Sequence, residues 1–134
     1  MANVVGVQYE RTGKSLEIDN LGMREMQRRA YSARENKYIL IKAPPASGKS
    51  RALMFLGLDK IYNQGLKKVI VSVPERTIGK SFAKTELKKF GFFTDWDYDD
   101  KYNLCTPGDE GKISIFKNFL FDENSKILIC THAT

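Results

Sequence analysis

Cysteine and histidine are scarce in this chain: two of the first, Cys105 and Cys130, and one of the second, His132. The cysteines lie far apart without the paired spacing of a metal site, which excludes a disulfide-stapled secreted fold and a zinc module, and leaves a reducing cytoplasm as the expected setting. Long apolar runs are missing as well. The N-terminal stretch amounts to Val4-Val5 before Gly6, so no run resembles a signal peptide, and none has the length of a membrane span. No segment repeats and none is of low complexity. Acid is in deficit: 16 Asp and Glu face 22 Lys and Arg, for a net charge of +6. Such a surplus suits a polyanion such as nucleic acid and says nothing about fold. With 134 residues, 42% of them hydrophobic, there is material for one domain around a single core.

What the chain does have is the run Tyr38-Ile39-Leu40-Ile41-Lys42-Ala43-Pro44-Pro45-Ala46-Ser47-Gly48-Lys49-Ser50. A buried-strand pattern empties into a phosphate-binding loop and then a helix. The spacing G-x-x-x-x-G-K-[ST] is met from Ala43 to Ser50, with alanine in place of the first glycine. Polyphosphate is held by backbone N–H groups pointing into one concavity, aided by the positive end of the helix behind them. Gly48 lets the backbone approach, Lys49 reaches the terminal phosphate oxygens, and the Ser50 hydroxyl takes one position on magnesium. Pro44 and Pro45 lack N–H groups but precede the donors expected from Ala46 to Ser50.

Two other Gly-Lys-Ser triplets compete. Gly13-Lys14-Ser15 has Gln8 where the first glycine belongs and runs into a strand-like Leu16-Glu17-Ile18. Gly79-Lys80-Ser81 lies between a strand and a helix pattern, but its loop starts at Pro74 and carries Glu75, an acid where phosphate has to come. Residues 43–50 are therefore the expected nucleoside triphosphate site.

Along the chain, residues 4–18 read as a hairpin, Val4 to Glu10 and Leu16 to Asp19, around Thr12-Gly13-Lys14. Asn20 reads as the N-cap of a helix to about residue 35, with Met23, Met26, Ala30 and Tyr31 on one face. A strand at 38–43 is followed by a helix from Lys49 to Gln64, turning Met54, Leu58 and Ile61 inward and stopping at Gly65. Val69 to Val73 is a second buried strand, and Ser81 to Phe90 a third helix with Phe82, Leu87 and Phe90 inward. Past Gly91 comes an aromatic and acidic stretch, Phe92 to Tyr102, then a short apolar run at Leu104-Cys105. Ile113, Phe116 and Leu120 recur at helical spacing. Lys126 to Thr134 reads as a buried strand with nothing behind it, as expected of a piece of a longer protein. Strands alternating with helices predict an α/β fold, a three-layer sandwich around a mainly parallel sheet, with its ligand at the strands' carboxyl ends.

Together these segments resemble the superfamily 2 helicases and translocases, in particular the DEAD/DEAH-like group related to the motor subunits of type I and type III restriction enzymes. Leu21-Gly22-Met23-Arg24-Glu25-Met26-Gln27 is similar to the segment ahead of the loop whose glutamine reads adenine, with Met26 in place of the usual aromatic. Val73-Pro74-Glu75-Arg76-Thr77-Ile78-Gly79-Lys80-Ser81-Phe82 resembles the motif after the second strand that touches the nucleic-acid backbone. Ile129-Cys130-Thr131-His132-Ala133-Thr134 resembles the segment ending the strand before the acidic Walker B motif. Asn103-Leu104-Cys105 and the helix start at Gly111-Lys112 look like one branch of the group.

The resemblance implies that residues 1–134 are the N-terminal part of a P-loop, RecA-like ATP-binding domain, incomplete, with 1–19 an extension and 20–134 the core. It implies ATP and Mg2+ as cofactors, Lys49 and Ser50 as catalytic, and Ala46, Ser47, Gly48, Lys49, Ser50, Arg51 and Gln27 as nucleotide-binding. Arg76, Thr77, Lys80, Ser81, Thr131 and His132 fall on the nucleic-acid path, with DNA expected ahead of RNA. The family's Asp-Glu-x-His and its second RecA-like domain are not in the chain, so efficient hydrolysis is not expected of it alone. Plainer readings stand beside these. Gln27 serves equally as an exposed helix residue, residues 76–81 as a solvated helix start, and His132 as a structural strand end. Trp96, Phe92, Phe93, Tyr98 and Tyr102 suit packing better than base stacking, because Asp95, Asp97, Asp99 and Asp100 would repel phosphate. The rival functions are a small P-loop phosphotransferase and a non-catalytic nucleotide- or nucleic-acid-binding module.

Overall fold

The computed structural model describes residues 4–8, 17–108 and 110–133, a mixed α/β structure with short parallel sheets. The expected single sheet is present as two pairs of strands, and the chain sorts into two compact units, Met1–Gly65 with Glu86–Asp95, and Leu66–Thr85 with Trp96–Thr134. Each pair is closed by its own crossover, which is how sequential parallel strands are joined.

In the first unit, β1 (Val4–Gln8) and β2 (Tyr38–Lys42) pair in parallel with Val4 opposite Tyr38 and Gln8 opposite Lys42. This differs from the expected hairpin. The first arm pairs with β2, residues 17–19 carry no strand, and residues 9–16, with the Gly13-Lys14-Ser15 triplet, lie outside the described residues. The crossover is α1 (Glu25–Ser32), and β2 runs through the loop into α2 (Lys49–Asn63). Met26 and Ala30 of α1 pack with Ala52 and Leu56 of α2 over Val5, Ile39, Ile41 and Ala43. An eight-residue helix is marginal alone, so this apolar contact holds α1 in place. It starts later than Asn20 because the Asp19 carboxylate accepts from Leu21 N–H at 2.9 Å and Met23 N–H at 3.0 Å, folding residues 19–23 into a turn.

Asp59 on α2 is 2% exposed. Its carboxylate accepts from Tyr31 Oη at 2.9 Å, Asn63 at 2.7 Å and Gln64 at 2.7 Å, with the Arg34 guanidinium 3.7 Å away. Desolvation pushes its pKa up, but the bonds from Gln64, Asn63 and Tyr31 and the charge of Arg34 outweigh it and hold the carboxyl below its ordinary value. Burial and the same contact push Tyr31 up to about 12. A depressed carboxyl stabilises the fold above its unfolded pKa, and that stability is lost as pH falls through the lower folded value. A raised phenol stabilises it below its unfolded pKa and loses this as pH rises through the folded one. Stability is thus expected to fall below the carboxylate range and again between about pH 10 and 12. Asp59→Asn should flatten the acid limb in urea titrations across pH, and an unchanged acid limb would contradict the assignment.

In the second unit, β3 (Val69–Val73) and β4 (Ile127–Thr131) pair in parallel, Val69 opposite Ile127. The crossover ends in α3 (Lys112–Phe121). Phe119, Leu128, Cys130, Tyr102 and Leu104 form its core, with Ile115 and Phe116 against them. The buried face of α3 is therefore 115, 116 and 119, not the expected 113, 116 and 120: Ile113 is 71% and Leu120 46% exposed. Lys68 donates to Asp122 O, Ser125 O and Ser125 Oγ at 2.7–2.9 Å and closes the turn ahead of β4.

The helix expected at 81–90 does not form. Two short 3-10 turns, Ile78–Phe82 and Leu87–Phe90, stand there instead. Thr85 exchanges both backbone bonds with Trp96, at 2.9 and 3.0 Å, and Ala83 is extended. A residue bonded across a ladder cannot also serve a helix. Phe82 and Leu87 are buried in their respective units, while Phe90 is 47% exposed. Trp96 is 1% exposed and its indole N–H donates to Phe82 O at 2.9 Å, so it is a core residue with no free face for a base.

Candidate functional site

The loop between β2 and α2 concentrates the unusual backbone of the first unit. Ala46 has φ 62, the one described non-glycine residue on the left-handed side, at a cost of about 1–2 kcal/mol for a residue with a Cβ. Gly48, the N-cap of α2, follows at φ 92 with Ser47 between them. Turns that alternate handedness in this way are one kind of backbone from which anion-binding concavities are built. Among the described residues, the backbone bonds include none donated by the amides from Ala46 to Arg51. The first turn of a helix leaves such donors over.

Ser47 is 8% exposed, and its Oγ is the one buried side-chain polar atom among the described residues with no hydrogen-bond partner. Orphaned buried hydroxyls are rare in folded proteins and call for a partner the chain does not supply. Lys49 stands exposed at the head of α2, and Ser50 is half-buried one residue on. The structure thus brings Ala46, Ser47, Gly48, Lys49 and Ser50 to one turn. Arg51 is placed differently, with its guanidinium 5.8 Å from the Phe90 ring centroid.

Gln27 is neither exposed nor unengaged. It is 2% exposed; its Oε1 accepts from Arg24 N–H at 2.8 Å and its Nε2 donates to Gly48 O at 3.1 Å. The rival triplet has none of these features. Ile78, Gly79 and Lys80 donate their amides to Glu75, Arg76 and Thr77 within a 3-10 turn. Gly79 has a packing reason: a Cβ there would meet Cys105 Sγ at 2.6 Å.

At the carboxyl ends of β3 and β4, the second unit has a cavity of about 410 Å3 lined by Pro74, Arg76, Thr106, Gly108, Lys112, Thr131 and Ala133. Arg76 and Thr131 both line it. Thr77, Lys80, Ser81 and His132 are not among its lining residues; Lys80 and His132 are exposed. Thr106, Gly108 and Lys112 were not expected at the site. The Lys112 ammonium donates to Thr106 O at 2.7 Å, and both residues line the cavity. Two cations and two hydroxyls in a concave site suit an anion.

Among the described residues, no three His, Cys, Asp or Glu side chains are placed to hold a metal ion, and no helix is long and apolar enough to cross a membrane. Burial pushes both thiols up, Cys105 further through Cys130, so neither is poised as a nucleophile.

Over all 134 residues the chain is 54% identical to the "Putative ATP-dependent helicase YeeB" of Bacillus subtilis (strain 168). It spans 22% of that protein's length. No family model and no solved structure matches it.

Proposed function

We propose that this chain is the ATP-holding part of a longer, superfamily 2-type helicase or translocase. The observation that carries the proposal is the orphaned Ser47 hydroxyl, buried between two left-handed residues at the start of a 15-residue helix whose leading amides have no described acceptor. Likeness to a protein named as an ATP-dependent helicase supports the same reading.

In this reading the amides of Ala46 to Arg51 and the Lys49 ammonium bind the phosphates. The Ser50 hydroxyl would be the chain's one ligand to Mg2+, an ion that keeps several of its waters. Bound magnesium would neutralise charge on the phosphates. In this reading Lys49 holds their outer oxygens and the Ser47 hydroxyl finds its missing partner on the ligand. Hydrolysis and movement along a strand belong to the longer protein. Calorimetric titration of the folded chain with ATP and magnesium tests the proposal; binding is expected, and silence at millimolar nucleotide would overturn it.

The cavity at Arg76, Lys112 and Thr131 is the proposed contact for the phosphate backbone of a nucleic-acid strand, DNA ahead of RNA. Each cation that meets a phosphate releases counterions, so Arg76→Ala and Lys112→Ala are each expected to weaken binding uniformly across sequences. Each should also lower the slope of log affinity against log salt by about 1. Fluorescence anisotropy of labelled single strands, DNA and RNA, over a salt series measures this. Unchanged slopes in both variants would remove the cavity from the path.

A further inference from the structure

We infer that Gln27 is a positioning residue of the phosphate loop and acts through the loop's backbone, not on the base of the nucleotide. The inference rests on the loop's binding polyphosphate. The Gln27 amide is buried, and both of its ends are engaged by backbone groups of fixed polarity: Arg24 N–H reaches Oε1 and Gly48 C=O takes an Nε2 proton. Because one partner can only donate and the other only accept, the amide has a single orientation. One bond closes the N-terminus of α1, and the other reaches 21 residues along the chain to the loop.

The second bond sets the direction of a phosphate donor. Gly48 C=O and Lys49 N–H belong to the same planar trans peptide unit and point opposite ways across it. Gly48 C=O is held from one side by Gln27 and by Ala52 N–H at 3.1 Å. With the carbonyl fixed toward α1, Lys49 N–H is fixed away from it, on the side where Ala46 and Gly48 turn the loop. The φ of 92 at Gly48 favours glycine, and a Cβ there would stand 2.5 Å from Gln27 Nε2, so the amide sits close against the loop backbone. The guanidinium of Arg24 lies alongside, its terminal nitrogen 3.8 Å from that Cβ position. Gln27, Arg24 and Gly48 therefore form one strut between α1 and the loop, and its contacts go to backbone that any nucleotide would use alike.

The test compares the 134-residue chain with Gln27→Glu and Gln27→Met, each titrated with ATP, GTP and inorganic tripolyphosphate. Glutamate can still accept from Arg24 N–H, as capping-box residues do, but cannot donate to Gly48 C=O when ionised. Methionine fills the space with neither bond. Both variants are expected to bind all three ligands about 3- to 10-fold more weakly, the effect of one hydrogen bond. The ATP-to-GTP ratio should stay that of the parent, and the helical circular dichroism of Gln27→Glu should be retained. Parent-like affinities in both variants would overturn the inference. So would a collapse of the ATP-to-GTP ratio with tripolyphosphate binding intact, which would make Gln27 a reader of adenine. Failure of the parent chain to bind any of the three would instead strike the nucleotide reading itself.

Discussion

Lys49→Ala is expected to weaken ATP binding by about 1.5–3 kcal/mol, roughly a 10- to 150-fold rise in Kd. The lysine stands exposed at the head of α2, beside donors that have no described acceptor, so its ammonium is available to a polyanion without first breaking a bond inside the protein. Its removal leaves the loop backbone intact, and the fold should melt as before. Lys80→Ala is the control. It deletes the same chemistry from a Gly-Lys-Ser triplet whose amides close a 3-10 turn and whose glycine accommodates Cys105. Calorimetry should find ATP affinity unchanged there. A loss at Lys80 with none at Lys49 would move the site to residues 74–81.

Trp96→Ala should cost the second unit about 3–5 kcal/mol, the range for emptying a buried aromatic site. The indole is fully buried, lies 6.4 Å from the Phe82 ring and satisfies Phe82 O through its N–H. The substitution therefore leaves a cavity and an unpaired carbonyl together. Its backbone also exchanges both bonds with Thr85, so loosening there spreads to the segment after β3. Urea unfolding followed by circular dichroism measures the loss. In the parent, the chain's single tryptophan reports the same transition by fluorescence. A change below about 1 kcal/mol would mean that the ring is exposed and free to stack, against its burial.

Much of this was legible in the sequence wherever local pattern decides structure. Strands form at 38–42, 69–73 and 127–131 where apolar runs predict them, but only the last is buried along its length, Leu40 and Ile70 being 62% and 46% exposed; α2 is a long helix launched by a loop of recognisable spacing, with Met54, Leu58 and Ile61 buried as expected. Long-range partners decided the remainder. A strand pattern at Val4–Gln8 does not say that the pairing will be parallel and with β2. Phe82, Leu87 and Phe90 are spaced for a helix, but the bridge between Thr85 and Trp96 takes the backbone elsewhere. In α3, periodicity allows either of two adjacent faces, and packing on Leu128 and Cys130 selects the one with Phe119.

The turn at 46–50 between a strand and a helix start follows from spacing alone. The bond from Gln27 to Gly48 and the folding of Lys112 onto Thr106 depend on tertiary contacts that no motif records. One signal for Gln27 was present. A glutamine three residues after a turn, ahead of an apolar-periodic stretch, is a capping pattern, so a backbone partner for Gln27 could be expected from the sequence.

The most direct measurement is an amide-resolved NMR titration of the isotopically labelled chain with ATP and magnesium. The amides of Ala46, Ser47, Gly48, Lys49, Ser50 and Arg51 are expected to move first and furthest, with Gln27 following through its bond to Gly48. If those six resonances stay in place while nucleotide binds, or if nothing moves at millimolar concentration, the loop is not a phosphate site.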